Sequence, residues 1–365
     1  MSEMAQDILV DGHLDIAWNY FNHGRDFLQS AWVRRRQETD PAFVQRHGRS
    51  MVGLPELLLG RVAVVCASIF VAPAWSRAYP DEQVLYETPA EAYAWGMRQM
   101  DYYHRLADSD PRIRLITTQA DLDAVLATWR EGSGVGDHRL GVILSMEGAD
   151  PILEPGQLEE WYARGLRAVG PAWSQTRYSG GTKALGPLTS LGRALLDEMA
   201  GLGIVLDLAH MAPEACVEAL DRYDGPLYAS HANPLRFRPD RPDRNISDEI
   251  IQRIAERDGA IGVMPYNLFL VPGWRAGDGK DAATMDTLIA AVDHICQLTG
   301  SARHVGIGSD FDGGFGAASA PVEFETSADL WAIGPALAAR GYAPADVSAI
   351  LSGNFLRILR AGLPA

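Results

Sequence analysis

Positive charge is what this chain lacks most. Its 32 Lys and Arg stand against 47 Asp and Glu, a formal net charge of −15, which removes the basic footprint that a nucleic-acid or anionic-membrane binder needs. A small-molecule partner is expected instead. Cysteine is scarce as well. Cys66, Cys216 and Cys296 are odd in number and far apart, so they form neither a disulfide framework nor a CxxC metal site, and they read as reduced thiols. No apolar run reaches the ~20 residues of a membrane span; the longest, 62–74, is interrupted by Ser68. Residues 1–7 have neither a basic region nor an apolar stretch, so no secretory leader and a cytoplasmic location are expected. A Gly-rich dinucleotide turn after the first apolar run is also missing. Asp11-Gly-His-Leu-Asp stands there, which weighs against a doubly wound open sheet.

What is present is a recurrence of short, almost continuous Val, Ile and Leu runs, the mark of buried parallel strands. They fall at 8–15, 62–70, 140–147, 165–173, 203–210, 226–231, 260–266 and 305–310. Segments of helical period alternate with them at 88–106, 118–130, 156–164, 188–200, 213–223, 247–257, 282–299 and 327–340, with a last helix at 344–360. Eight strands alternating with helices predict an α/β fold, a (β/α)8 TIM barrel, and 1–365 is expected to be one domain. The excess over a minimal barrel lies in two early insertions, 16–60 and 71–139, read as elaborated loops. Within the first, Arg34-Arg35-Arg36 reads as a solvated helix face.

Barrel enzymes carry their chemistry at the C-terminal strand ends. Here those ends supply His13 and Asp15, Glu147, His210, His231 and Asp310. His13 and Asp15 are two apart, so an extended chain points both the same way. Glu147 closes an apolar strand, where a lone carboxylate is costly without a cation. Imidazole and carboxylate together suit zinc or a similar divalent ion. Five ligands exceed the usual three protein ligands of one catalytic zinc, so two Zn2+ per chain are expected, bridged by Glu147, whose two oxygens can serve both. Two such ions would lower the pKa of a bridging water toward ~7. Asp310, catalytic together with Glu147, is the expected proton shuttle to the leaving nitrogen; Asp312 is its rival by side-chain parity. Arg244, just after the sixth strand, could clamp a substrate carboxylate. The other histidines read as structural.

The blocks Asp11-Gly-His-Leu-Asp, Ser145-Met-Glu-Gly, Asp207-Leu-Ala-His, Ala229-Ser-His-Ala-Asn, Asp243-Arg-Asn-Ile-Ser-Asp, Gly308-Ser-Asp-Phe-Asp-Gly and Gly353-Asn-Phe-Leu-Arg-Ile resemble the membrane (renal) dipeptidase family of zinc metallopeptidases, peptidase family M19, within the metal-dependent hydrolase barrels. The resemblance spans nearly the whole chain. It implies His13, Asp15 and Glu147 on one metal and Glu147, His210 and His231 on the other, Asp310 as acid and base, Arg244 on the C-terminal carboxylate of a dipeptide, and Tyr266 near the substrate. It also implies tolerance of a D-residue at the C-terminal position and is compatible with a homodimer. In one respect the chain departs from the pattern. Members carry a histidine after the fourth strand that helps stabilise the oxyanion, whereas this chain has Gly170-Pro-Ala-Trp173. An indole N–H donates one hydrogen bond but carries no charge, which puts oxyanion stabilisation in question and makes Trp173 a substrate-binding candidate.

Three readings follow. The first is a zinc-dependent dipeptidase; the second, a related amidohydrolase acting on a non-peptide amide or β-lactam; the third, a metal-binding barrel with reduced turnover because of Trp173.

Overall fold

The computed structural model describes residues 8–130 and 132–365; the leader reading of residues 1–7 lies outside them. Eight parallel strands form the ring: β1 (Leu9–Leu14), β2 (Val62–Phe70), β3 (Leu140–Glu147), β4 (Leu166–Gly170), β5 (Val205–Asp207), β6 (Leu227–Tyr228), β7 (Ile261–Val263) and β8 (Val305–Ile307). Hydrogen-bonded pairing runs β6-β5-β4-β3-β2-β1-β8-β7. A parallel bridge between Ala229 and Ile261 joins the two ends, with the Ala229 N–H donating to Ala260 O at 2.9 Å and the Gly262 N–H to Ala229 O at 2.8 Å. The fold is therefore the expected (β/α)8 barrel, and each predicted strand run contains one of its strands.

Side-chain alternation explains the middle of the ring. Val64 and Cys66 on β2, Ile143 on β3, Ala168 on β4, Val205 on β5 and Tyr228 on β6 share one buried cluster with Phe355. Continuing that face upward brings Ser68 and Phe70, Ser145 and Glu147, and Asp207 to the mouth. Phe355 plugs the other end, against Gly12 and Gly306. The last predicted helix, 344–360, is present but not α-helical throughout. It runs Pro344–Ser348, makes a π turn at Ala349–Gly353 and resumes at Asn354–Ala361. Gly353 is a weak helix former, and the Asn354 side chain is held by the carbonyls of Ala302 and Val305, both at 2.7 Å.

The two early insertions are structured. Residues 16–60 form the helices Ile16–His23, Ala31–Gln37, Pro41–His47 and Leu54–Leu59. Residues 71–86 form a strap, pinned where the Asn22 side chain accepts the Gln83 and Val84 N–H groups. Ile113–Leu115 adds a short parallel strand beside β3, outside the ring. The solvated-face reading holds for the exposed Arg36 and is corrected for Arg34 and Arg35, which are buried, 5% and 8% exposed. Arg35 donates from Nε to Ser50 O at 2.6 Å and pairs with Glu325 at 3.0 Å. Local sequence shows the charge run, but not that the barrel and residues 325–327 close over it.

Candidate metal centre and active site

The predicted ligands converge, although most of them lie beyond regular strand. β1 ends at Leu14, with Asp15 at the N-cap position of the helix that follows but its side chain not capping it; β5 ends at Asp207, β6 at Tyr228 and β8 at Ile307. Rungs past the strand ends still place the ligands. Leu208 N–H donates to Tyr228 O at 2.9 Å, Ala232 N–H to Gly262 O at 2.7 Å, and Asp310 N–H to His13 O at 3.2 Å. His210, Asp310 and Asp312 adopt left-handed φ of 65°, 53° and 66°, a conformation that costs an L-residue energy and collects at functional sites. The expectation that His210 and Asp310 end their strands is corrected: they lie past β5 and β8, and turns aim them. Parity holds for Glu147. Gly308 permits a close backbone approach, since a Cβ there would lie 1.9 Å from Ser230 O, and that contact lets the loops bearing His231 and Asp310 meet.

Glu147 divides its oxygens. Oε2 lies 3.5 Å from His13 Nε2, which is itself 3.6 Å from Asp15 Oδ1. Oε1 lies 3.0 Å from His210 Nε2 and 3.4 Å from His231 Nε2. His13, Asp15 and Glu147 thus form one set of convergent donor atoms, and Glu147, His210 and His231 a second; His13, His231 and Asp310 form a third. All of these residues are buried.

The surrounding hydrogen bonds prepare the imidazoles to donate lone pairs. The Thr182 hydroxyl donates to Asp243 O at 3.2 Å, so it accepts from His210 Nδ1, 2.9 Å away. The Ser230 N–H donates to Asp207 Oδ1 at 2.9 Å, and its hydroxyl lies 2.7 Å from His231 Nδ1. The first arrangement leaves His210 Nε2 unprotonated, as a metal ligand requires, and a proton on His231 Nδ1 would do the same for that ring. Those two Nε2 atoms stand 3.0 Å apart, facing Glu147 Oε1. His13 Nε2 is buried without a hydrogen-bond partner among the described residues. Acceptors crowded together in a dry site call for a cation, and mixed imidazole and carboxylate donors fit a divalent transition metal. Electrostatics agree. Burial disfavours charge on His13, yet Glu147 and Asp15 outweigh it and hold His13 well above the usual imidazole range. Burial lowers His210 to about 4 and holds His231 well below the usual imidazole range, keeping both neutral. Asp15 also accepts the Ser68 hydroxyl.

Asp310 and its rival separate cleanly. Asp310 sits in the ligand cluster; burial, partly opposed by His13, and the Asp15 and Glu147 charges raise it well above the carboxylate range. Asp312 is committed elsewhere, accepting the Met51 and Val52 N–H groups at 2.8 and 3.1 Å beside Arg25 at 3.5 Å. It ties the first insertion to the barrel. Replacing Asp312 with Ala is expected to cost about 3 kcal/mol, the scale of stranding buried donors and a guanidinium, read by denaturant unfolding, while metal content stays unchanged.

Arg244 is buried. Its Nη2 donates to His231 O at 3.0 Å, its guanidinium lies 5.2 Å from the Phe269 ring centre, and it has no ion-pair partner among the described residues. Burial lowers its pKa, while Asp310 and Glu147 oppose that shift. Tyr266 stacks flat on Phe315 at 3.9 Å, and Asp310 adds to the burial that raises its phenol. Trp173 sits between Phe70, 5.0 Å away, and His210, 6.3 Å away, measured ring to ring. It lines a cavity of about 250 Å³ above the cluster, together with Asp15, Glu147, His210 and Asp310. The sequence reading missed other contributors to this wall, namely His47, Tyr79, Glu82 and Lys183. His47 pairs with Asp81 of the strap at 3.0 Å. These residues come from the insertions and a hairpin, where no strand-end rule applies.

Comparison with known proteins agrees with this architecture. Residues 2–362 match the family model described as membrane dipeptidase, peptidase family M19. A Klebsiella pneumoniae protein described only by its place in the pqqA 5′ region is 30% identical over 70% of this chain and 91% of its own length. An uncharacterized dipeptidase of Schizosaccharomyces pombe is 30% identical over 60% of this chain, a match spanning 53% of that protein. Among solved structures, a Rhodobacter sphaeroides metallo peptidase liganded with a phosphinate mimic of L-Ala-D-Ala superposes with a TM-score of 0.77, at 22% identity, covering 98% of this chain and 99% of that one.

Proposed function

The chain belongs to the membrane dipeptidase family, peptidase family M19, and on that premise we propose that it is a dipeptidase whose centre holds two zinc ions. The observation that carries this reading is the division of Glu147, one oxygen toward His13 and the other toward His210 and His231. His13, Asp15 and Glu147 would hold one ion, and Glu147, His210 and His231 the other. When bound, such a pair supplies an acidified water and polarises the scissile carbonyl.

The chain's own groups do the rest. Asp310 takes a proton from the attacking water and delivers it to the departing amine nitrogen, a role that favours a carboxyl raised above its ordinary range. Arg244, buried and without an ion-pair partner among the described residues, offers its guanidinium to the C-terminal carboxylate. Tyr266 contacts the substrate beside it. Trp18, Phe70 and Trp173 wall the cavity that receives the N-terminal residue. Acceptance of a D-residue at the C-terminal position is part of the proposal, supported by the L-Ala-D-Ala mimic in the R. sphaeroides structure. So are a single domain, a cytoplasmic location and a homodimer, with a small dipeptide as the partner. No helix among the described residues is long and apolar enough to cross a membrane.

The test is metal content joined to turnover. Purified protein is expected to carry about two zinc-like ions per chain, measured by elemental analysis, and to lose hydrolysis of a mixed L,L and L,D dipeptide panel on chelation and recover it on adding zinc. A metal content near zero after supplementation overturns the reading.

A further inference from the structure

Two charged side chains on the cavity wall, Lys183 and Glu82, belong neither to the ligand cluster nor to an ion pair among the described residues. Lys183 stands out by composition. The chain has two lysines, Lys183 and Lys280, among its 32 basic residues, and Lys280 is engaged by Glu325 and the Phe324 carbonyl, both at 2.5 Å. Position matters more. Lys183 holds a left-handed φ of 65°, and its N–H donates to the Asp243 carboxylate at 3.2 Å. Its neighbour Thr182 bonds His210 Nδ1. The backbone carrying the ammonium is thereby fixed beside a metal ligand. The Nζ lies 5.9 Å from the Trp173 ring centre, at the open rim of an aromatic wall. Among the residues lining this cavity Lys183 is the one Lys or Arg, because Arg244 is not part of its wall.

We propose that Lys183 selects dipeptides whose N-terminal residue bears an acidic side chain, its ammonium pairing with that carboxylate. The inference rests on the dipeptidase reading. With the C-terminal carboxylate on Arg244 and the scissile amide at the ligand cluster, the N-terminal half of the substrate occupies this cavity. There Glu82, whose Oε2 accepts only the Ala78 N–H at 3.1 Å among the described residues, faces the α-ammonium, and Lys183 meets the side chain. The other charged lining groups are spoken for. Asp15, Glu147 and His210 belong to the ligand cluster, Asp310 is the proton shuttle, and His47 is paired with Asp81. The Trp173 indole gives the pair an apolar face on one side, and because Lys183 is exposed the pair is screened by salt.

The test measures kcat/KM of the zinc-loaded full chain on Glu-Ala, Gln-Ala and Lys-Ala. Wild type is expected to favour Glu-Ala over its neutral isostere Gln-Ala by about tenfold, a preference that shrinks in high salt. Lys183→Met should bring the Glu-Ala to Gln-Ala ratio near one, and Lys183→Glu should invert it and favour Lys-Ala. A wild-type ratio of one, or a ratio untouched by Lys183→Met, overturns the inference and leaves the dipeptidase reading standing. Turnover of none of the three overturns both.

Discussion

Replacing Asp310 with Asn is expected to lower kcat on a small dipeptide by about 10²–10⁴, the range of a lost general acid and base, with metal content near that of the wild type. The variant is informative because Asn keeps the shape of the side chain and is among the few residues that tolerate the left-handed backbone, here φ 53°. The Asp310 N–H to His13 O bond is also kept, since it is made by the backbone. What is removed is the ability to take and return a proton. The surroundings leave no ready substitute. Asp312 is tied to Met51, Val52 and Arg25, while Asp15 and Glu147 face the imidazoles. Steady-state kinetics beside elemental analysis decide the matter. Unchanged kcat at unchanged metal content moves the shuttle away from Asp310.

Replacing Glu147 with Gln is expected to do more, lowering metal content to below about one ion per chain and turnover by at least ~10³. A carboxylate offers two anionic oxygens, and here each faces a different half of the ligand set. A glutamine amide has one neutral oxygen and an NH2 that would point its hydrogens at imidazoles or metal. In the proposed two-ion centre both seats would lose a charged ligand from one substitution, whereas loss of His13 or His210 would take an imidazole from one seat. Calorimetric zinc titration distinguishes the cases: two weakened sites support the shared position, and a single weakened site places Glu147 on one ion alone. A folded variant retaining both ions at wild-type affinity overturns the bridging assignment.

The legible part of this protein was its periodicity. Buried strands in a parallel barrel must be apolar on both faces, so β1 to β8 show as Val, Ile and Leu runs regardless of what surrounds them. Polar residues ending such runs stand out for the same reason, and this is how His13, Asp15, Glu147, His210 and His231 were found. The insertions gave no comparable signal. Arg34 and Arg35 are helical and charged, and only their distant neighbours make them buried.

The sequence by itself determined the ring of eight units and the set of residues able to bind metal, because both follow from local alternation and side-chain chemistry. Tertiary structure decided what each ligand faces. It aims His210 and Asp310 through left-handed turns, separates Asp310 from Asp312 by giving the latter structural partners, and brings Lys183 and Glu82 to one cavity from two unrelated segments. Those outcomes depend on contacts between residues far apart in the chain, and a local pattern has no access to them.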